Sequence, residues 1–137
     1  MGRIIVGLVA VALTGLAAGC GGGGTASDNS PKAALLELAE GLKTTAGDGK
    51  KPPARLADLE QIEPMIPLAG PAIRSGELVY LWGGGYSPTG TKVVAYERKA
   101  ETEGGLVLLQ NATVTSMTAD ELRAAEKAGK AEKAGKK

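Results

Sequence analysis

A chain of 137 residues with 16 basic and 15 acidic side chains, no histidine and a single cysteine excludes several classes of protein at once. Ser-His-Asp and Cys-His catalysis lack their base, zinc sites of the usual nitrogen and sulfur type lack ligands, and no disulfide can close within the chain. Balanced charge asks for no polyanionic partner, so nucleic acid is not expected.

The N-terminus reads as an export signal. Arg3 supplies a positive start, residues 4–18 are uncharged and mostly apolar, and small residues follow. The apolar run is short of the roughly 20 residues that a membrane-spanning helix needs, and Gly21, Gly22, Gly23 and Gly24 end it. Leu16-Ala17-Ala18-Gly19-Cys20 resembles a bacterial lipobox, with its leucine one place earlier than usual. The resemblance implies cleavage after residue 19, a diacylglycerol on the Cys20 sulfur and acylation of the new amino group. It also implies a cell-envelope protein facing the periplasm, held to the membrane through that lipid. Gly21 after the cysteine favours the outer membrane under the enterobacterial sorting pattern. A type IV prepilin leader is not present, because neither Gly2 nor Gly7 has a glutamate five residues on.

Residues 20–29 are glycine-rich, then small and polar, and read as a flexible tether. A single domain is expected over residues 30–124. Ser30-Pro31 has the form of a helix start. Leu35, Leu38, Ala39, Leu42 and Ala46 form one apolar stripe, and Gly47 is the expected stop. Residues 48–53 make a proline turn before a short helical pattern at Leu56, Leu59 and Ile62, which Pro64 and Pro67 end. A loop then runs through Ser75-Gly76. Strands are expected at 78–82, 92–97, 106–109 and 113–117, antiparallel because their connections are short. Thr118 and Glu121 have capping-box spacing, with Met117 and Leu122 placed as a hydrophobic staple. The expected architecture is α+β: an N-terminal helix packed on an antiparallel sheet of about four strands, and a short C-terminal helix.

Residues 125–137 repeat Ala-Glu-Lys-Ala-Gly-Lys twice and then add a lysine. With no large apolar residue, they read as a solvated low-complexity tail.

Two apparent catalytic motifs fail on physical grounds. Residues 85–92 nearly spell a phosphate-binding loop, but Thr91 and Lys92 are transposed and the segment leads into a strand where a helix N-terminus is required. Ser87 follows Gly85 as in a nucleophile elbow, yet Thr89 stands where a second glycine is needed, and there is no histidine to act as base. Tyr80, Trp82, Tyr86 and Tyr96 are all the aromatic residues. They are the candidate face for a ligand, glycan or partner, although core or cross-strand packing accounts for the same pattern. Asp48, Asp58 and Glu60, or Asp120 and Glu121, lack calcium-loop spacing, and no metal or cofactor is expected.

The order of helix, proline turn, short helix, meander and final helix is similar to the periplasmic domain of major-pseudopilin-like proteins of type II secretion systems, in their planctomycete-type forms. The residues that carry the likeness are 48–59, Leu78-Val79-Tyr80, Val93-Val94-Ala95-Tyr96-Glu97, 105–114 and 118–122. Where that family has an Asp-Gly turn followed by His, this chain has Asn111-Ala112-Thr113. The resemblance implies a non-enzymatic envelope protein with a structural or protein-binding role and other envelope proteins as partners. The alternative is a periplasmic small-ligand or glycan binder using the aromatic strands.

Overall fold

The computed structural model describes residues 29–131. The signal segment 1–19, Cys20, the tether through residue 28 and residues 132–137 lie outside the described residues. The fold is α+β, as the residue pattern implies, with five strands where about four were expected.

Helix α1 (Pro31–Gly47) begins where Ser30 Oγ accepts the Ala33 N–H at 3.2 Å, and Pro31 fills a first-turn position whose amide would have no helical partner. Its end differs from expectation by two residues. Gly47 is still helical; Gly49 takes the left-handed turn at φ 70°, donating to Ala46 O while Lys50 donates to Thr45 O, both at 3.0 Å. That is the Schellman arrangement, in which glycine relieves the Cβ clash. Leu35, Leu38 and Leu42 are buried and Leu36 is left outside. Each buried leucine stabilises the fold by roughly 1.5–3 kcal/mol through transfer alone. Gly41 lets the neighbouring segment close in, since a Cβ there would stand 2.8 Å from Ile66 Cγ2.

After α2 (Leu56–Leu59) and a 3-10 turn (Glu63–Met65), helix α3 (Ala69–Ser75) occupies the stretch that the sequence suggested was a loop. No local side chain caps it. Glu37 of α1 does so instead, accepting the N–H groups of Leu68 and Ala69 on one oxygen at 2.7 and 3.2 Å. An acidic side chain at a helix N-terminus satisfies orphan donors and meets the positive end of the dipole.

Strands β1 (Leu78–Trp82), β2 (Val93–Glu97), β3 (Gly105–Leu109), β4 (Val114–Met117) and β5 (Lys130–Ala131) form one sheet in the order β4-β3-β2-β1-β5. The five strands pair antiparallel, and an isolated parallel bridge joins Val93 to Lys127. Leu78 and Tyr80 of β1 and Leu108 of β3 face α1 and α3, while Val79, Leu81 and Val107 face the other way. In β2 the register shifts between Val93 and Ala95, so that Val94 and Ala95 both join the α1 side. That β-bulge keeps Val93 and Tyr96 on the far face, which a second apolar cluster covers with Ala100 and Leu122.

Leu122 belongs to α4 (Ala119–Ala124), whose capping box is complete. Thr118 Oγ1 accepts the Glu121 N–H at 3.2 Å, and Glu121 Oε2 accepts the Thr118 N–H at 2.7 Å. Met117 packs against the same cluster as Leu122, closing the staple. Thr118→Ala should cost about 1 kcal/mol, read from urea midpoints. The Thr118 backbone N–H, then its hydroxyl, hold the Glu121 carboxyl below the usual carboxylate range. The contribution of that carboxylate is therefore present above the ordinary glutamate pKa and is lost as acidification passes through the lowered one.

The β3–β4 turn holds Ala112 at φ 67°, the one non-glycine residue in the left-handed region among the described residues. Asn111 Oδ1 accepts the Thr113 N–H across it at 3.1 Å. An L-residue in this conformation is strained by roughly 1–2 kcal/mol, of which added chain entropy and lost methyl packing take back the larger part, so Ala112→Gly should raise stability by about 0.5 kcal/mol. A midpoint in urea that falls instead would mean the methyl contact outweighs the strain.

The tail expectation is corrected over its first half. Residues 125–131 are not a solvated extension: Val93 N–H donates to Glu126 O, Ala128 N–H donates to Val93 O, and β5 pairs with β1. Backbone bonding to a sheet edge needs no large apolar side chain, so the hydrophobic pattern carried no sign of it.

Candidate functional site

Sheet register decides what the four aromatics can do together. Tyr80 lies opposite Ala95 and Val79 opposite Tyr96, so Tyr80 and Tyr96 point to opposite faces. Tyr80 and Trp82, two apart on β1, meet edge to face with centroids 5.0 Å apart and planes at 88°. Tyr86 packs on the same cluster, half-buried like Trp82. The structure thus brings three together and leaves the fourth on the far side. Tyr80 is buried, and its hydroxyl donates to the Gly84 carbonyl; burial pushes that hydroxyl well above the ordinary tyrosine range. Tyr96 donates to Glu101 Oε1 at 2.7 Å and is shifted upward by burial and then by that carboxylate. The crevice beside Tyr86, between Gly85, Val94, Leu108 and Ala112, leaves no room for a water molecule. Tyr80, Trp82 and Tyr86 thus pack on the core, and the crevice beside Tyr86 is smaller than a sugar needs.

Several carboxylates are likewise engaged by the fold. Glu97, one of two buried polar residues among those described, accepts the Leu106 N–H at 2.6 Å and has Lys99 Nζ at 3.5 Å. Glu63 grips Arg74 through two bonds of 2.9 and 3.2 Å, which raises the guanidinium pKa. Asp58 accepts the Ala54 N–H and Arg55 Nε at 3.1 and 3.2 Å, and these bonds hold it below the usual range, the backbone bond first. Asp48 faces Lys50, and Asp120 faces Arg123. Among the described residues no three acidic, cysteine or histidine side chains converge on a point where a metal ion would sit. Ser87 uses its N–H to close the loop on Gln110 O at 2.8 Å, and Lys92 lies 3.6 Å from Glu126. The segment then enters β2, as a phosphate loop could not.

One cleft lies at the start of the domain. Pro31 and Ala34 of α1 and Leu68, Pro71 and Ala72 at α3 enclose about 330 Å³ above Leu78. Asn29 stands on its rim, so the tether meets the domain here. A wider, more open hollow of about 600 Å³ shares Pro31, Ser75 and Glu77 with the cleft and continues to Arg98 and Lys99. Sequence periodicity could not have marked this cleft, because α3 was not legible as a helix. Cys20 lies outside the described residues, and no described helix is long and apolar enough to cross a membrane. Compared with known proteins, the chain matches no family model, no curated sequence and no solved structure.

Proposed function

We propose that the chain is a non-enzymatic cell-envelope protein, anchored by lipid at Cys20, whose pseudopilin-like domain has a structural or protein-binding role in the periplasm. The observation that carries the reading is the lipobox-like ending of the apolar segment, Leu16-Ala17-Ala18-Gly19-Cys20, followed at once by a glycine-rich tether. Nine residues from Cys20 to Asn29 reach at most about 30 Å, enough to hold the domain near a bilayer without embedding it. The non-enzymatic part draws support from the use made of the acidic groups. Glu37, Glu63, Glu97, Glu101 and Glu121 are each engaged in a helix cap, an ion pair or a bond that holds a turn. A general acid or base needs a proton to move at a reacting atom, and these groups are occupied by the fold. The helix-on-meander order also accords with the pseudopilin likeness.

Mass spectrometry of the mature N-terminus should find Cys20 carrying acyl mass, and Cys20→Ser should move the protein from the membrane fraction to the soluble periplasm. An unmodified Cys20 with Met1 still attached would end the reading. Affinity purification of the lipidated protein from solubilised membranes should then return envelope proteins that a lipidated chain truncated after Asn29, and so lacking the domain, does not.

A further inference from the structure

The two edges of the sheet are finished differently. β5 covers the outer side of β1. The other edge is β4, Val114-Thr115-Ser116-Met117, which carries no charge, no proline and no bulge in its register with β3, although these are what commonly keep an edge from pairing. Leu109 N–H donates to Thr113 O at 2.9 Å, and antiparallel bonding alternates from there. Thr115 and Met117 therefore turn their backbone groups toward β3. The N–H and C=O groups of Val114 and Ser116 point out of the sheet edge, with no partner among the described residues. The chain then turns away from this edge, for Leu122 of α4 joins the far-face cluster that holds Val79 and Leu81 of β1.

We infer that β4 is the pairing surface for a second copy of this chain, the two β4 strands lying antiparallel about a two-fold axis at Thr115. That register sets Val114 opposite Ser116 of the second copy, twice over, and uses every outward group in four hydrogen bonds. A register centred on Val114 would draw in the left-handed turn at Ala112, and one centred on Ser116 would draw in Thr118, whose N–H is already given to Glu121. The faces also match. Val114 lies on the α1 side and Thr115 on the far side, so two threonines meet at the axis and no charge is buried. The axis stands normal to the sheet, so both copies keep α1, and the Asn29 that precedes it, on one side of a joined sheet with five strands from each. Two chains held by lipid to one bilayer need that geometry, and here the inference rests on the anchoring proposed above. Four residues a side fall well short of the roughly 1,200 Å² of a stable interface, so the pair forms where anchoring concentrates the chains in one layer.

The test is thiol cross-linking of the full chain in isolated membranes under a mild oxidant. Thr115→Cys should give a covalent dimer of the chain, because residues facing across a non-hydrogen-bonded pair have Cα atoms about 4.5 Å apart, within disulfide reach. Ser116→Cys, exposed and next in sequence, should cross-link at least about tenfold more slowly, since its counterpart lies diagonally, at or beyond the roughly 7 Å limit. Adding Ser116→Pro to Thr115→Cys should abolish the dimer, because proline removes an outward N–H and spares the ladder to β3. A measurement on the parent needs no change at the edge: the Val114 and Ser116 N–H groups should exchange at least about tenfold more slowly in membranes than in dilute Cys20→Ser protein. Equal cross-linking at 115 and 116, a dimer that survives Ser116→Pro, a cross-link to a protein of another mass, or equal exchange in the two preparations would each overturn the inference. A disulfide dimer of the parent, whose one cysteine carries lipid on the anchoring reading, would refute that reading and not the pairing.

Discussion

Leu38→Ala should lower stability by about 2–5 kcal/mol, whereas Leu36→Ala, two residues away on the same helix, should stay within about 0.5 kcal/mol of the parent. The contrast rests on where α1 lies. Leu38 is fully buried among residues of α3, the sheet and the segment around Ile66, and Leu36 is 44% exposed. Removing three carbons from a close-packed site loses their transfer free energy and leaves a cavity that the sheet beneath is too stiff to fill. The exposed leucine loses neither. Urea titrations of both variants, compared at equal slope, read the difference. Equal midpoints would mean that α1 is detached from the sheet in solution, and the anchored domain would then be the sheet alone with α1 as part of its stalk.

The same helix shows what a sequence can and cannot disclose. Its start was legible because Ser30 and Pro31 act locally, and so was the α4 capping box, whose partners lie three residues apart. The four longer strands were legible from short β-branched and aromatic runs to within a residue at their ends. Helix α3 was not, because its cap comes from Glu37, which lies 31 residues before Leu68. β5 was hidden for a related reason. Its docking depends on backbone bonds and on the absence of a side chain at Gly129, and neither leaves a hydrophobic period. At the candidate site, the aromatic cluster was visible in composition but its division between two faces was not. That division follows from pairing Tyr80 with Ala95, and register is a property of two strands together.

Tyr80→Phe should destabilise the domain by about 1–3 kcal/mol at neutral pH and progressively less above pH 10. The neutral-pH cost comes from Gly84, a buried residue whose carbonyl accepts the Tyr80 hydroxyl and would lose that partner. The edge-to-face contact with Trp82 survives in phenylalanine, so packing changes little. The pH dependence follows from burial, which raises the folded-state pKa of Tyr80 above the unfolded value of about 10. A group that binds its proton more tightly when folded contributes stability that is complete below the unfolded pKa. As pH rises beyond that value the unfolded chain sheds the proton while the folded one keeps it, and stability drains away by about 1.4 kcal/mol per pH unit. Phenylalanine has no proton to lose. Tyr96 is shifted in the same direction and adds its own loss, but it and the lysines are common to both proteins and cancel in the comparison. Urea midpoints for the two proteins should therefore converge between pH 10 and about 11.5, with the parent the steeper. Parallel curves would show that the Tyr80 hydroxyl reaches solvent, and the bond to Gly84 would then not hold the start of the loop that carries Tyr86.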